Sequence, residues 1–327
     1  MRIAVVIALL ASAACDGAFT PEGSHHHYVI SAIGIPSVPN QADQLGLDLS
    51  GDGRVDNAIG RAFVMLENSG LSISIATDLG IRTGSVINLI DLQTRDFQTA
   101  TSAGLQVLAG ASPIPDPCPN LPCAGACGIG ELCDSDLRVC FPEGKRACGL
   151  HLDGNGQFTT TSVALTNDPV LGATSAGAFA GAGDHLTVQI SIDRALVAQR
   201  TPAITIPLLR TQVRITKATE MSIEGGVIAG AVPQEGLEAL TDSIKSVVRR
   251  NLTTCERVAT PPSCSCLDPT AAAMAAGFDT IIPDCNVTDQ EFEAHPALMV
   301  LRQPDLAIDG FAASSFGVGF VAVHAEF

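Results

Sequence analysis

The chain of 327 residues has no tryptophan and a single tyrosine, and aromatics make up 4% of it. Carbohydrate platforms and the interfacial girdles of membrane barrels draw heavily on those two residues, so the sequence is poorly supplied for either. Basic residues are also scarce. Lys and Arg number 18 against 34 Asp and Glu, a formal charge of −16. That balance excludes a nucleic-acid binder, whose face must neutralise phosphates, and argues against adhesion to anionic membrane surfaces by charge. Charged residues are only 16% of the chain while hydrophobic ones are 46%, which excludes a disordered polymer and supplies a large core. The sequence contains no G-x-S-x-G elbow, no H-E-x-x-H, no P-loop and no G-x-G-x-x-G, the patterns that announce several common chemistries.

Long apolar runs are missing as well, apart from one at the start. Residues 1–14 carry Arg2, an apolar run from Ile3 to Leu10 and small residues to Ala14, the layout of a secretory signal peptide. The run falls short of the roughly 20 residues that span a bilayer. Ala13-Ala14-Cys15, following Leu9-Leu10-Ala11-Ser12, resembles a bacterial lipobox, although Ser12 stands where that pattern usually has Leu. The resemblance implies that Cys15 is lipidated and becomes the mature N-terminus. Ordinary cleavage, with Cys15 as one more disulfide cysteine, is the competing reading. Cysteine arithmetic favours lipidation. There are 11 cysteines, an odd number, and setting Cys15 aside leaves ten that can pair completely: Cys118, Cys123, Cys127, Cys133, Cys140, Cys148, Cys255, Cys264, Cys266 and Cys285. The expected location is outside the cytoplasm, in an oxidising compartment, with a lipid anchor in the bacterial outer membrane holding a periplasmic or cell-surface body.

Residues 15–44 read as anchor and tether, with an apolar stretch at Tyr28–Ile35 able to supply a first strand. His25-His26-His27 within it is read as a solvated polar run, because adjacent side chains of a regular element cannot all face one metal. Residues 45–112 predict an α+β region. Ile59, Phe63 and Leu66 place a helix over Asn57–Glu67, and Ser72–Ala76, Val86–Leu92 and Gly104–Leu108 are β-type runs. Three prolines in 113–117 mark a boundary. Residues 113–150 form a cysteine-rich insert with too few apolar side chains for a core, so it must be held by disulfides. Zinc competes as a reading, but the insert has no C-x-x-C pair.

Residues 151–327 predict a β-rich domain, with strands at Phe158–Leu165, Leu186–Ile192, Ala203–Thr216, Glu220–Ala229 and Phe316–Phe327. An amphipathic helix is expected at Glu235–Arg250, and a short one at Pro269–Gly277 inside a second cysteine cluster. The closing F-G-V-G-F-V-A-V-H-A-E-F resembles the last strand of outer-membrane barrels, but without aromatic girdles it is read as a core strand. The expected fold is therefore α+β and β-rich: antiparallel sheets or a sandwich, a few helices and a disulfide-held insert.

One chemical motif is prominent. Counting Asp48 as position 1, oxygen side chains fall at positions 1, 3, 5 and 9 as Asp48, Ser50, Asp52 and Asp56. Gly53 at position 6 permits a sharp turn, and Arg54 at position 7 offers its carbonyl. Calcium takes about six to eight oxygen ligands, and a tight loop can present them. The stretch resembles the D-x-D-x-D-G-x-x-D-N loops of thrombospondin type 3 repeats, with Ser50 replacing one Asp, which implies calcium as the cofactor. It resembles an EF-hand less, since Ile59 stands where an EF-hand has its bidentate Glu. The competing reading is an Asp- and Gly-rich turn with Asp56 or Asn57 capping the helix. Leu150–Phe158 repeats the L-x-L-x-G-x-G skeleton, but His151 and Thr159 at its first and ninth positions predict a plain turn.

Together the leader, the D-N-A-I-G that follows the loop, the central cysteine cluster and the F-G-V-G-F close resemble secreted lipoproteins of delta-proteobacterial, myxobacterial type. That resemblance implies no particular activity. The sequence predicts a non-enzymatic, calcium-binding envelope lipoprotein acting in adhesion, scaffolding or binding to an envelope partner. Two alternatives stand beside it. One is an apolar-ligand or lipid-binding protein with its ligand between the β-rich domain and the Glu235 helix. The other is a hydrolase with an unrecognised site, for which Asp184-His185 and His151-x-Asp153 are the available imidazole pairings. No catalytic residue is assigned.

Overall fold

A computed structural model describes residues 20–111, 118, 123, 127–134, 139–143, 148–161, 169–193, 203–259 and 262–327. The expected signal peptide, Cys15, the prolines of 113–117 and the latter half of the Phe158–Leu165 strand lie outside the described residues.

Eight strands follow one another around a ring in chain order: β1 (Ser24–Gly34), β2 (Asn88–Thr94), β3 (Ala103–Ala111), β4 (Val170–Ser175), β5 (Ala178–Ile190), β6 (Ile204–Ala218), β7 (Ser222–Pro233) and β8 (Phe311–Glu326). Each is antiparallel to the next, and β8 pairs back onto β1, Val29 opposite Val323 and Ile33 opposite Phe320. Closing the sheet on itself gives each of these strands a neighbour on both sides. Closure requires bending, and the register shifts where bulges supply it: at Ile30/Ala32 between β1 and β8, and at Leu209/Gln212 between β6 and β7. The protein is thus the β-rich α+β fold expected, with the antiparallel sheet curled into a barrel-like sandwich. Segments 45–112 and 151–327 meet in this one sheet at β3 and β4 and share one core, and the tether segment contributes β1.

Helices α1 (Pro39–Gln44), α2 (Ala58–Asn68), α3 (Ile73–Thr83), α4 (Gln234–Leu252), α5 (Pro269–Phe278), α6 (Asp289–Ala294) and α7 (Pro296–Leu301) pack on one another and against the side of the sheet made by β1, β6, β7 and β8. Among the described residues no helix is long and apolar enough to cross a membrane. The stripe of α2 falls where the spacing predicts it, burying Ile59, Ala62, Phe63 and Leu66. It covers β8, where Phe63 meets Phe316 edge-on with ring centroids 5.6 Å apart. Strand β8 is consequently buried on both faces from Ala313 to Phe320, and sequestering a side chain such as Phe63 contributes about 1.5–3 kcal/mol. Helix α4 likewise buries Leu237, Leu240, Ile244, Val247 and Val248, and it ends on Arg249 and Arg250, where the dipole favours cations.

Ser72–Ala76 is a correction. Its alternation suggests a strand, yet it opens α3, because Ile73, Ala76, Thr77 and Gly80 form a helical stripe that is buried while Ile75 points outward. Tertiary burial outweighs a five-residue period. Helices α6 and α7 were not anticipated. Each is six residues long and is set by local chemistry: a Thr288–Glu291 capping box starts α6, and His295 with Pro296 starts α7.

The ten cysteines expected to pair do so in two groups. Cys118–Cys148, Cys123–Cys133 and Cys127–Cys140 hold the insert, and the first of these joins its two ends. Inside it a small ribbon, Glu131–Asp134 with Val139–Pro142, is tied to α3 by an ion pair between Arg82 and Asp134. Cys255–Cys266 and Cys264–Cys285 hold a second ribbon against α5.

Candidate functional site

The loop from Leu47 to Asn57 leaves and re-enters the core at one point. Leu47 and Asp56 bridge, and the Asp56 amide donates to the Leu47 carbonyl at 2.9 Å. Gly51 and Gly53 take left-handed φ values of 79° and 84°, which lets the intervening chain reverse tightly. The carboxylates face back onto their own backbone. Asp48 accepts hydrogen bonds from the amides of Gly51 at 2.6 Å and Gly53 at 2.9 Å. Asp52 accepts from Arg54 at 2.8 Å, and one oxygen of Asp56 accepts from both Leu49 and Ser50 at 2.8 Å. The candidate set of Asp48, Ser50, Asp52, Arg54 and Asp56 therefore lines one exposed turn, with half-buried Asp48 and Asp56 at its base.

Three carboxylates, a hydroxyl and a carbonyl are an all-oxygen donor set, which suits a hard cation. Asp48, Asp52 and Asp56 are not among the groups of three whose ligand atoms lie within 4.8 Å of one another. The loop thus carries calcium-type donors in an arrangement that its own amide hydrogen bonds already close.

Asn57 locks this loop to the barrel. Its Oδ1 accepts from the amides of Gly60 and Gly317 at 3.0 Å, and its Nδ2 donates to the carbonyls of Ala42 and Gly317 at 3.0 and 3.1 Å. The next amide, Ala58, donates to Ser315 Oγ at 2.7 Å, and Ser315 in turn donates to Asp305. Gly317 is needed because β8 passes so close that a Cβ there would lie 2.3 Å from the Leu45 carbonyl oxygen. Sequence reasoning offered Asp56 or Asn57 as a helix cap in its competing reading, and Asn57 fills that place. Its grip on a strand 260 residues away was not visible locally.

The echo at Leu150–Phe158 behaves differently. His151 is buried at 1% exposure beside Phe158, and its ring makes no well-formed hydrogen bond. Burial pushes its pKa down, partly opposed by the Ile81 backbone. Asp153 accepts from the Asn155 amide at 2.8 Å, so it does not orient His151. Asp184 and His185 are exposed neighbours on β5, where successive side chains point to opposite faces.

A serine–histidine contact lies elsewhere in the fold: His295 Nε2 is 2.9 Å from Ser69 Oγ. His295 Nδ1 accepts from the Ala297 amide at 3.3 Å, so Nε2 carries the proton and donates to Ser69, whose hydroxyl donates to the Met65 carbonyl at 3.0 Å. That arrangement caps α7 and leaves Ser69 without a base. His295 also stacks on Phe278 at 4.2 Å, and burial lowers its pKa.

Between α4 and the ends of β5 and β6 lies an open groove of about 340 Å³. Its walls include Asp193, Asp242, Ser243, Ser246 and Arg250, with Asp193 and Arg250 paired across it. Ile192, Ile204 and Val247 add apolar surface to the same walls.

A cluster that sequence reasoning set aside stands at the start of β1. Because β1 is a strand, His25 and His27 share a face and His26 takes the other, against Phe97. Asp91 on β2 lies opposite His27 and joins the first two. The H-x-H alternation was the available signal, and the carboxylate arrives only through strand pairing. Comparison of the chain with protein-family models, with curated proteins and with solved structures finds no match in any of the three.

Proposed function

We propose that the chain is a non-enzymatic, calcium-binding lipoprotein of the bacterial cell envelope that acts by adhesion, scaffolding or binding. The observation that carries this reading is the cysteine pairing. All ten cysteines from Cys118 to Cys285 are joined to one another. With 11 in the chain, Cys15 alone is left over, and it is the residue in the lipobox-like context. Disulfides on this scale belong to an oxidising compartment, which agrees with the leader. A closed sheet with two disulfide-held appendages also suits a rigid binding body.

In this reading calcium sits at the Asp48–Asp56 turn, held by the carboxylates of Asp48, Asp52 and Asp56, the Ser50 hydroxyl and the Arg54 carbonyl. The all-oxygen donor set supports calcium, and the cation offsets the mutual repulsion of three acidic side chains. Two measurements test the proposal. Cys15→Ala is expected to abolish incorporation of labelled fatty acid and to move the protein out of the membrane fraction; membrane association that survives the change overturns the anchor. Calcium is expected to raise the melting temperature, and Asp52→Ala to remove that rise. Melting curves that coincide with and without chelator overturn the metal loop.

A further inference from the structure

We propose that His25, His27 and Asp91 form a binding site for a zinc-class divalent metal on the β1–β2 face of the barrel. His25 Nδ1 lies 2.9 and 2.8 Å from the two oxygens of Asp91, and His27 Nε2 lies 3.8 Å from Asp91 Oδ1. All three ligand atoms fall within 4.8 Å of one another. Zinc bonds of about 2.0–2.1 Å at tetrahedral angles put neighbouring ligand atoms about 3.3 Å apart. The separations to Asp91 straddle that value and the histidine pair lies within 4.8 Å, so side-chain adjustments of about 0.5–1.5 Å bring the set onto one ion.

The scaffold holds the set in place. His27 and Asp91 are direct cross-strand partners, and His25 is two residues along the same face. The His27 ring stacks on Phe327 at 4.2 Å and 20°, which limits its rotation. Asp91 is the least exposed of the three at 17%, whereas the His25 side chain is 52% exposed. Solvent therefore reaches the site from the His25 side, leaving a fourth position for water or a donor from another molecule, as in zinc sites with three protein ligands.

Chemistry separates this site from the Asp48–Asp56 turn. Two imidazoles and one carboxylate suit zinc and its neighbours in the transition series, while calcium and magnesium demand oxygen. A simple ion pair of Asp91 with His25, and more loosely with His27, is the alternative arrangement. The site stands whether or not the turn takes calcium.

The test is calorimetric titration of the purified, chelator-treated chain with zinc chloride. A single tight zinc per chain is expected, unaffected by excess calcium. His25→Ala, His27→Ala and Asp91→Asn are each expected to weaken it by at least about tenfold, the lower range seen even for residues behind the ligands. His26→Gln, altered on the opposite face, is expected to retain it. Cobalt(II) supplies a second readout: visible absorption of a four-coordinate ion, lost in the His25→Ala variant. Far-ultraviolet circular dichroism confirms that each variant is folded. Zinc affinity equal in wild type, His25→Ala and His27→Ala overturns the site, as does loss in a folded His26→Gln chain.

Discussion

Two loops share the L-x-L-x-G-x-G skeleton and lean on opposite ends of β8, yet they resolve it in opposite ways. In both, the first glycine is left-handed, with φ of 79° at Gly51 and 88° at Gly154. They part at the second. Gly53 stays left-handed and continues the turn, whereas Gly156 enters a short parallel pairing with Ala325. The first side chain follows suit. Asp48 remains at the surface and caps the turn with both oxygens, while His151 is drawn under Phe158 with no well-formed hydrogen bond. One skeleton thus yields a polar, hydrogen-bonded turn or a packed one, according to whether a carboxylate or an aromatic ring pair is there to be satisfied.

The comparison can be broken most forcefully at Asn57. This fully buried amide makes four hydrogen bonds between loop, helix and strand. Asn57→Ala is expected to cost about 3–4 kcal/mol, seen as a fall in denaturant midpoint. Its counterpart in the second loop, Thr160, is exposed, and Thr160→Ala should change stability by no more than about 0.5 kcal/mol. The glycines come next. A Cβ at Gly156 would lie 2.5 Å from the His151 carbonyl oxygen and 2.7 Å from the Phe158 ring, so Gly156→Ala is expected to cost about 2 kcal/mol through overpacking. At Gly53 the space is open and only the positive φ is at stake, so Gly53→Ala should cost about 1 kcal/mol.

His151 offers a smaller effect of opposite sign. Replacing this buried imidazole, whose one polar contact is a poorly formed one to the Ile81 backbone, with Leu is expected to stabilise the fold by about 1 kcal/mol. Its folded pKa lies below the ordinary 6.5 because burial disfavours the charged ring. The unfolded chain therefore takes up a proton first as pH falls, and stability present above that value is lost below it. Melting temperature should drop on acidification through the range just below 6.5, and His151→Leu should remove part of the drop. His26 and His295, whose pKa values are also lowered by burial, contribute in the same direction. The smallest expected effect is none at all: the calcium-dependent rise in melting temperature that Asp52→Ala removes should persist in Asp153→Ala.

Helix α2 was legible because Ile59, Phe63 and Leu66 repeat at helical spacing and Asn57 precedes them. The last strand was legible in kind though not in length, since β8 begins at Phe311, five residues before Phe316. Helix α3 was misread because S-I-S-I-A is too short to choose between periods until Thr77 and Gly80 are seen to be buried. At the candidate loop the residue types and the turn at Gly53 were apparent beforehand. The commitment of Asp48, Asp52 and Asp56 to their own amides was not, because it depends on the closed path of the backbone.

Local chemistry, written in the order of residues, was sufficient for the parity of the cysteines, the stripes of α2 and α4, the left-handed glycine at 53 and the alternation of His25 and His27. Tertiary structure alone decided which cysteine meets which, that β8 returns to β1 to close the ring, and that Asp91 arrives beside two histidines 64 and 66 residues earlier in the chain. Those outcomes depend on the register between strands distant in sequence. Register is chosen by burying one face of every strand at once, a condition that no short window of sequence contains.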